Sequence, residues 1–95
     1  MIILAGTLEV DPADRDRYVE MRRAQVERTR AEDGSVAYAI TADSVDPGLV
    51  IVFECYEDEA ALAEHRKHLQ RDMSIPIKAL DIWQYETNGR SKLQV

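Results

Sequence analysis

The stretch LVIVFECYEDEAALAEH, residues 49–65, changes its pattern halfway along, and this change decides the fold. Its first half is an apolar run rich in β-branched residues, which is typical of a buried strand. Asp58 then offers a side chain that can cap a helix, and strong helix formers follow it. We therefore expect a strand over residues 49–56 and a helix over residues 59–71.

The residues before this stretch predict a hairpin. Asp46-Pro47-Gly48 is a turn sequence, because proline presets φ and glycine accepts a positive φ. A second apolar run, VAYAITAD, occupies residues 36–43 and ends just before this turn. The two strands on either side of the turn should therefore pair in antiparallel fashion.

The N-terminal part of the chain predicts a strand over residues 2–10, followed by a long helix. Asp11 is a candidate N-cap and Pro12 suits the first helical position. We expect this helix to run to about Ala31 and to stop before Gly34, a residue type common just past helix ends.

The C-terminal part predicts an irregular segment over residues 72–78 and a strand over residues 79–86. The Asn-Gly pair at residues 88–89 is a hairpin signal. Residues 90–95 are therefore expected to form a short fifth strand, or a tail that reaches across to a partner chain.

This order of elements, β-α-β-β-α-β, predicts an α+β fold of the ferredoxin-like type. Such a fold has a four-stranded antiparallel sheet with both helices on one face. The 95 residues suffice for one domain and not two. We expect a single domain over residues 1–95, with its core in residues 2–86 and a C-terminal appendage in residues 87–95.

Both faces of the predicted sheet are apolar, although helices can cover only one of them. Along residues 2–10, one face carries Ile2, Leu4, Gly6, Leu8 and Val10, and the other carries Ile3, Ala5, Thr7 and Glu9. A half-exposed antiparallel sheet normally alternates apolar and polar residues. We therefore predict a homodimer in which two sheets pack face to face, as a dimeric α+β barrel.

Composition excludes several classes of function. The net charge of −6 argues against nucleic acid and against anionic membranes as partners. Cys55 is the sole cysteine, and the sequence has neither a signal-peptide pattern nor a run long enough to span a membrane, so we expect a cytoplasmic location. His65 and His68 have no cluster of other ligands in the sequence, so we expect neither a metal nor a bound cofactor.

Polar side chains stand among the apolar residues that should face the sheet, which is the composition of a small-molecule pocket between helices and sheet. On the first helix these residues are Arg22, Gln25 and Thr29, and on the second His65 falls between Leu62 and Leu69. From the strands the candidates are Tyr38, Glu54, Tyr56, Trp83 and Tyr85. A shift of one residue in strand register would move any of them to the other face of the sheet, so the face of each stays open.

Structural roles are the alternative for each of these residues. A single histidine on an apolar stripe is often only a hydrogen-bonded core residue. Arg22 can place its stem along the apolar surface and its charged group in water, and Glu54 can simply pair with an arginine. Trp83 can be a core residue.

Two segments, AGTLEVDPADRDRY at residues 5–18 and EDGSVAYAITADSVDPGLVIVFECYEDEAALAEH at residues 32–65, resemble the antibiotic biosynthesis monooxygenase family. The resemblance implies dimeric α+β barrels that oxidise aromatic quinols or anthrones with molecular oxygen and without bound metal or flavin. It implies His65 as base or proton shuttle and Arg22 as the group that stabilises the oxyanion. Tyr56 and Gln25 would hydrogen-bond the ring oxygens, and Glu54 would orient His65 or Tyr56.

Several positions depart from the family pattern. Many relatives carry tryptophan where this chain has Tyr56, and a second histidine where it has Gln70. The haem-cleaving branch has asparagine and tryptophan where Thr7 and Tyr56 stand here, which disfavours haem as a substrate. Two alternatives remain: a non-catalytic or stress-related dimer that binds a small molecule, and an isomerase or degrader of a small phosphorylated carbonyl compound. For the latter, Arg22 is the well-placed basic group and Arg66 a weaker second.

Overall fold

The computed structural model describes residues 1–70 and 72–94 and has the predicted order of elements. The strands are β1 (Ile2–Glu9), β2 (Ser35–Ala42), β3 (Leu49–Tyr56) and β4 (Ala79–Glu86), and the helices are α1 (Arg15–Arg30) and α2 (Glu59–His68). All pairings are antiparallel, in the order β2-β3-β1-β4. The predicted ferredoxin-like α+β fold is therefore confirmed.

The hairpin turn and the second helix begin as the sequence predicts. Leu49 N–H donates to the Asp46 carbonyl at 3.3 Å, which closes the turn between β2 and β3. At the start of α2, the Asp58 carboxylate accepts a hydrogen bond from the Ala61 backbone N–H at 2.8 Å. The cap matters for function because it fixes where α2 starts and therefore which side chains face the sheet.

The two helices differ from prediction at three of their ends. α1 begins at Arg15 with Asp14 in the N-cap position, because Asp11 instead accepts the backbone N–H of Ala13 in a turn before the helix. It ends at Arg30, one residue earlier than expected. α2 ends at His68, where Leu69 turns to an extended conformation, and position 71 lies outside the described residues.

The main core lies between the helices and one face of the sheet. It is made of Leu8, Val10, Tyr18, Val50, Val52 and Ile75. A second cluster of Ile2, Tyr56 and Leu62 lies under α2. Burying such side chains contributes about 1.5–3 kcal/mol each to folding, so these two clusters hold the helices on the sheet.

In the part of the chain that the structure describes, neither helix covers the other face of the sheet, which exposes large apolar side chains. Phe53 is 39% exposed, Tyr85 52% and Trp83 64%. In the register of the sheet, Ala5 pairs with Phe53 on one side and with Trp83 on the other, so these residues share the face. We call the surface of Ile51, Phe53, Trp83 and Tyr85 the bare face; the dimer expected from it stays a prediction.

Residues 87–94 form no strand on their own chain, although residues 88–89 carry a hairpin signal. The Thr87 carbonyl instead accepts a hydrogen bond from the Met1 amino group, and the Thr87 N–H donates to the Met1 carbonyl, which ties the end of β4 to the start of β1. Position 95 lies outside the described residues, and a partner-crossing tail remains a prediction. Among the described residues, no helix is long and apolar enough to cross a membrane.

Candidate functional site

His65 lies at the inner side of α2 and is only 4% exposed. One turn earlier, Leu62 packs against Ile2 and Tyr56 of the sheet. Residues three apart in a helix share a face, so the packing of Leu62 directs His65 inward as well. The imidazole is thus placed under the helix by ordinary apolar packing.

Each ring nitrogen of His65 faces a carboxylate. Nδ1 lies 2.8 Å from Glu32 Oε1, and Nε2 lies 3.9 Å from Glu54 Oε1. The first distance is a hydrogen bond and the second is too long for one. Because a carboxylate only accepts, Nδ1 carries the proton, and the neutral ring keeps its lone pair on Nε2.

Tyr56 holds Glu54 in place on the sheet. Its hydroxyl donates to Glu54 Oε1 at 2.5 Å, between side chains that point to the same face of β3. Burial, with the hydrogen bond to Glu54, raises the pKa of Tyr56 well above its usual range. The phenol therefore stays protonated and remains a donor at physiological pH.

Tyr38 comes to the same place from β2, opposite Glu54 in the register. Its hydroxyl accepts a hydrogen bond from Gln25 Nε2 at 2.8 Å, and both residues are buried. Burial, followed by the charge of Glu54, raises the pKa of Tyr38 to about 12, while the Arg22 guanidinium acts in the opposite direction. Tyr38 thus also stays neutral.

The two tyrosines flank the imidazole. The ring centroid of His65 lies 5.5 Å from that of Tyr38 and 5.4 Å from that of Tyr56. Three rings thus occupy the space beneath α2, and aromatic groups lie on both sides of the imidazole. Such a setting lowers the local dielectric and strengthens the interactions of its polar atoms.

A cleft of about 360 Å³ opens beside this cluster, between the two helices. Among the described residues, it is lined by Gln25, Arg28, Thr29, Glu32, His65, His68 and Gln70. A neighbouring cleft of about 490 Å³ shares three of these residues and is lined by Met21, Arg22, Ala24, Gln25, Arg28, Gln70, Asp72 and Met73. We call the two clefts together the inter-helix groove.

The position of the groove corrects the predicted pocket. We expected a cavity between the helices and the sheet, but the lining residues belong to α1, α2 and the segments that follow them. The physical reason is that Tyr38, Tyr56 and His65 fill the space above the sheet. His65 joins the two regions, since it lines the groove and faces Glu54 behind it.

The structure brings together most of the side chains predicted from sequence. His65, Glu54, Tyr56, Tyr38 and Gln25 form one connected cluster. In addition, Thr29, with 1% exposure, and Arg22 line the groove.

Trp83 and Thr7 do not belong to the cluster. Trp83 pairs with Ala5 across the sheet and lies on the bare face, where its Nε1–H donates to Asp81. Tyr85 pairs with Ile3 and lies on the same face. The placement of Trp83 and Tyr85 in the pocket was therefore wrong, and the cause is the register, which alternates strand side chains between faces. Thr7 alternates with Gly6 and also points away from His65.

Glu32 and Arg28 were not predicted from sequence. Glu32 follows the end of α1, and no periodicity applies to a residue in a turn. In the sequence, the signal nearest to Glu32 is Gly34, whose φ of +82° reverses the chain and brings the turn against α2.

The described residues contain no group of three or more His, Cys, Asp or Glu side chains arranged to hold a metal ion.

Comparison with known proteins places this geometry in a family. The model of antibiotic biosynthesis monooxygenases matches residues 1–71. YcnE of Bacillus subtilis, assigned as a monooxygenase, is 27% identical over 67 residues, which cover 70% of each chain. The protein sll1783 of Synechocystis is 27% identical over 64 residues, or 67% of this chain, but the match spans only 44% of that longer protein.

Solved structures show the same fold. The crystal structure of a protein from Deinococcus radiodurans, assigned to the same family, superposes with a TM-score of 0.76 at 20% identity and covers all of both chains. Structural similarity at 20% sequence identity supports the fold alone, whereas the match to the family model supports membership of the family. Since that model matches about three quarters of the sequence, this chain belongs to the antibiotic biosynthesis monooxygenase family.

Proposed function

We propose that this protein is a cofactor-independent monooxygenase that oxidises a small aromatic quinol with molecular oxygen. The observation that carries the proposal is the arrangement around His65: Nδ1 is held by Glu32, and Nε2 faces Glu54 across 3.9 Å. This is a base oriented by one carboxylate and presented to a second polar group. Family membership supports the same chemistry.

The gap between His65 and Glu54 suits a hydroxyl group. A substrate hydroxyl about 2.8 Å from His65 Nε2 would donate its one proton there, because Nε2 lies 3.9 Å from Glu54 Oε1 and is not hydrogen-bonded to it. In the proposed complex, a phenol of the substrate enters from the groove, which His65 lines, and reaches Nε2. Transfer of its proton to Nε2 leaves a phenolate, and Glu32 stabilises the imidazolium that forms.

The phenolate supplies the electrons for the reaction. It reduces O₂ and forms a carbon–oxygen bond at an activated ring carbon, giving a hydroperoxide. Loss of water then leaves a carbonyl, so that one hydroquinone and one O₂ give one hydroxyquinone and one H₂O. All four electrons come from the substrate, and the protein contributes position, desolvation and a proton acceptor.

A developing anion is favoured by Arg22, while the Glu54 carboxylate acts against negative charge on Tyr38 and Tyr56. Tyr38 and Tyr56 keep their protons, because burial raises the pKa of both. Arg22 is close enough to lower the pKa of Tyr38, and it therefore also favours negative charge on a substrate beside that ring. We assign Arg22 to stabilising the oxyanion and Gln25 and Thr29 to binding the substrate.

The working unit in this proposal is a homodimer. The bare face exposes Phe53, Trp83 and Tyr85 side by side, and a monomer seldom leaves such a patch open to water. A second copy of the same face is the simplest cover, since a two-fold interface joins identical surfaces. In this arrangement, Trp83 contributes to assembly and not to substrate binding.

A second candidate function is a dimer that binds a small molecule without transforming it. The observation in its favour is that the cluster is already well satisfied, with Glu32, Glu54 and Gln25 each hydrogen-bonded to a cluster partner. Haem cleavage has no such support, because Thr7 points to the bare face. Binding that stabilises the fold, without O₂ consumption, would favour this second candidate.

The test is oxygen uptake by the purified protein with a panel of hydroquinones and anthrones. We expect the wild type to consume one O₂ per substrate molecule. The rate of O₂ uptake should be lower by about 100-fold or more in His65→Ala. Lys67→Ala is the control, because Lys67 lies on the same helix but is exposed and pairs with Glu64. Uptake that is absent from the wild type, or equal in His65→Ala, would reject the proposal.

A further inference from the structure

The inter-helix groove contains two arginines, although the chain as a whole is acidic. Arg22 and Arg28 line it together with Glu32 and Asp72, on a protein with a net charge of −6. We propose that the groove binds an anionic group, a carboxylate or a phosphate, carried by the substrate itself. This inference rests on the proposed function, since it names the class of quinol that the site takes.

Arg22 supplies the first argument, because part of its hydrogen-bonding capacity is not used. Within residues 1–70 and 72–94, its Nε is buried without a partner, and its Nη1 reaches the Gln70 carbonyl only at 3.4 Å. A buried N–H group that lacks an acceptor destabilises the folded protein. An anionic oxygen bound in the groove would supply that acceptor, in the fork geometry that guanidinium groups favour.

The second argument is that neither arginine forms an ion pair with an acidic side chain. Among residues 1–70 and 72–94, no carboxylate lies within ion-pair distance of Arg22 or Arg28. Glu32 is bonded to His65. Asp72 accepts the backbone N–H of Ser74, which lowers its pKa, and the charge of Arg22 acts on it from a longer distance in the same direction. His68 is bonded to Glu64, which leaves Arg22 and Arg28 for a ligand.

The third argument is that this charge lies next to the proposed reaction site. Gln25 and Arg28 line both clefts, and Gln25 also donates to Tyr38, whose ring lies against His65. An anion held by Arg22 and Arg28 would place the rest of a small ring toward His65. The charge of Arg22 also acts on Tyr38 beside His65, so it would still favour the phenolate at that end. A hydroquinone that bears a carboxylate matches this arrangement at both of its ends.

The experiment compares matched ligands by calorimetry. Dihydroxybenzoate, its methyl ester and inorganic phosphate are titrated into the wild-type protein under anaerobic conditions, so that no turnover occurs. We expect dihydroxybenzoate to bind the wild type at least about tenfold more tightly than its ester does. We also expect its affinity to fall at least about tenfold in Arg22→Gln or Arg28→Gln. Tighter binding of phosphate than of dihydroxybenzoate, lost in the same variants, would identify phosphate as the preferred anion.

Arg23→Gln is the control, because Arg23 lies on the same helix but pairs with Glu20 and Glu27, away from the groove. We expect it to bind dihydroxybenzoate as the wild type does. Equal binding of the acid and the ester, or equal losses in all three variants, would overturn the inference. Circular dichroism shows whether each variant is folded. If either Arg22→Gln or Arg28→Gln fails to fold, the other still tests the inference.

The two proposals fail separately. If the carboxylate binds through the arginines but no quinol consumes O₂, the anion site stands and the oxygenase does not. If O₂ uptake depends on His65 but is the same for the acid and the ester, the oxygenase stands and the anion site does not.

Discussion

Glu32 and His65 lie 33 positions apart in the chain, yet the carboxylate oxygen of one is 2.8 Å from Nδ1 of the other. Glu32 follows α1 and His65 is part of α2, so this single hydrogen bond links the two helices across the groove. It also sets which ring nitrogen carries the proton. The bond therefore couples the arrangement of the helices to the chemistry of the imidazole.

The first prediction concerns that tautomer. In the neutral imidazole of His65, we expect the proton on Nδ1, because Glu32 can only accept. Glu32→Ala should remove this preference, while Glu32→Gln, which can accept through its amide oxygen, should keep much of it. Nitrogen chemical shifts of the labelled histidine ring report the tautomer directly. An Nε2–H ring in the wild type would contradict the assigned base.

The second prediction concerns the bond between Tyr56 and Glu54. Tyr56→Phe leaves a largely buried carboxylate without its donor, so we expect it to lower the free energy of unfolding by about 1–3 kcal/mol. Tyr56→Phe in combination with Glu54→Gln should cost less than the sum of the single changes. Urea unfolding of the two single variants and the double variant gives this coupling. Strictly additive losses would mean that the bond contributes nothing.

The third prediction concerns alkaline pH. Burial raises the pKa of Tyr38 from about 10 in the unfolded chain to about 12 in the fold. Between these values, the unfolded chain binds fewer protons than the folded chain, so stability falls as pH rises. The contribution of Tyr38 is complete below pH of about 10 and is lost by about 12.

Tyr38→Phe should therefore flatten the alkaline part of the stability curve by up to about 3 kcal/mol. Urea unfolding at a series of pH values measures the effect, and ultraviolet absorbance of tyrosinate gives the titration itself. Part of the neutral-pH stability should also be lost, because Gln25 no longer has its acceptor. The same alkaline slope in both proteins would show that Tyr38 titrates as an exposed phenol.

Local signals in the sequence were sufficient for the order of the elements. These signals act within a few residues of the chain: the Asp46 turn, the Asp58 cap and the apolar pattern of each strand. The structure has the turn and the cap where the sequence predicted them. Where two local signals competed, prediction failed. Asp11 has the chemistry of an N-cap but serves a turn, so α1 begins later than expected.

The site was predictable only where periodicity applies. His65 and Gln25 lie on helical stripes, so their inward direction followed from the sequence. Trp83 was misplaced because a shift of one residue in strand register reverses the face. Glu32 was missed because its proximity to His65 comes from the chain reversal at Gly34, which no residue pattern specifies at a distance of 33 positions.

The fourth prediction concerns the bare face. Phe53→Glu should convert the proposed dimer to a monomer, because it places charge at the centre of the expected interface. Val45→Glu is the matched control, since Val45 is 89% exposed in the turn between β2 and β3. Sedimentation of the wild type and both variants gives the assembly state. A wild type that sediments as a monomer at micromolar concentration would refute the dimer.

The last prediction tests whether the chain reversal at Gly34 positions the site. A Cβ at Gly34 would lie 2.5 Å from Ala61 Cβ of α2, and its φ of +82° is unfavourable for other residues. Gly34→Ala should therefore cost about 1–3 kcal/mol and push α2 away from the turn that carries Glu32. Gly89→Ala, with nothing within 4 Å of its added Cβ, should change stability by less than about 0.5 kcal/mol. If position 34 matters only for stability, the nitrogen shifts of His65 will match the wild type; if it positions the site, they will move toward those of Glu32→Ala.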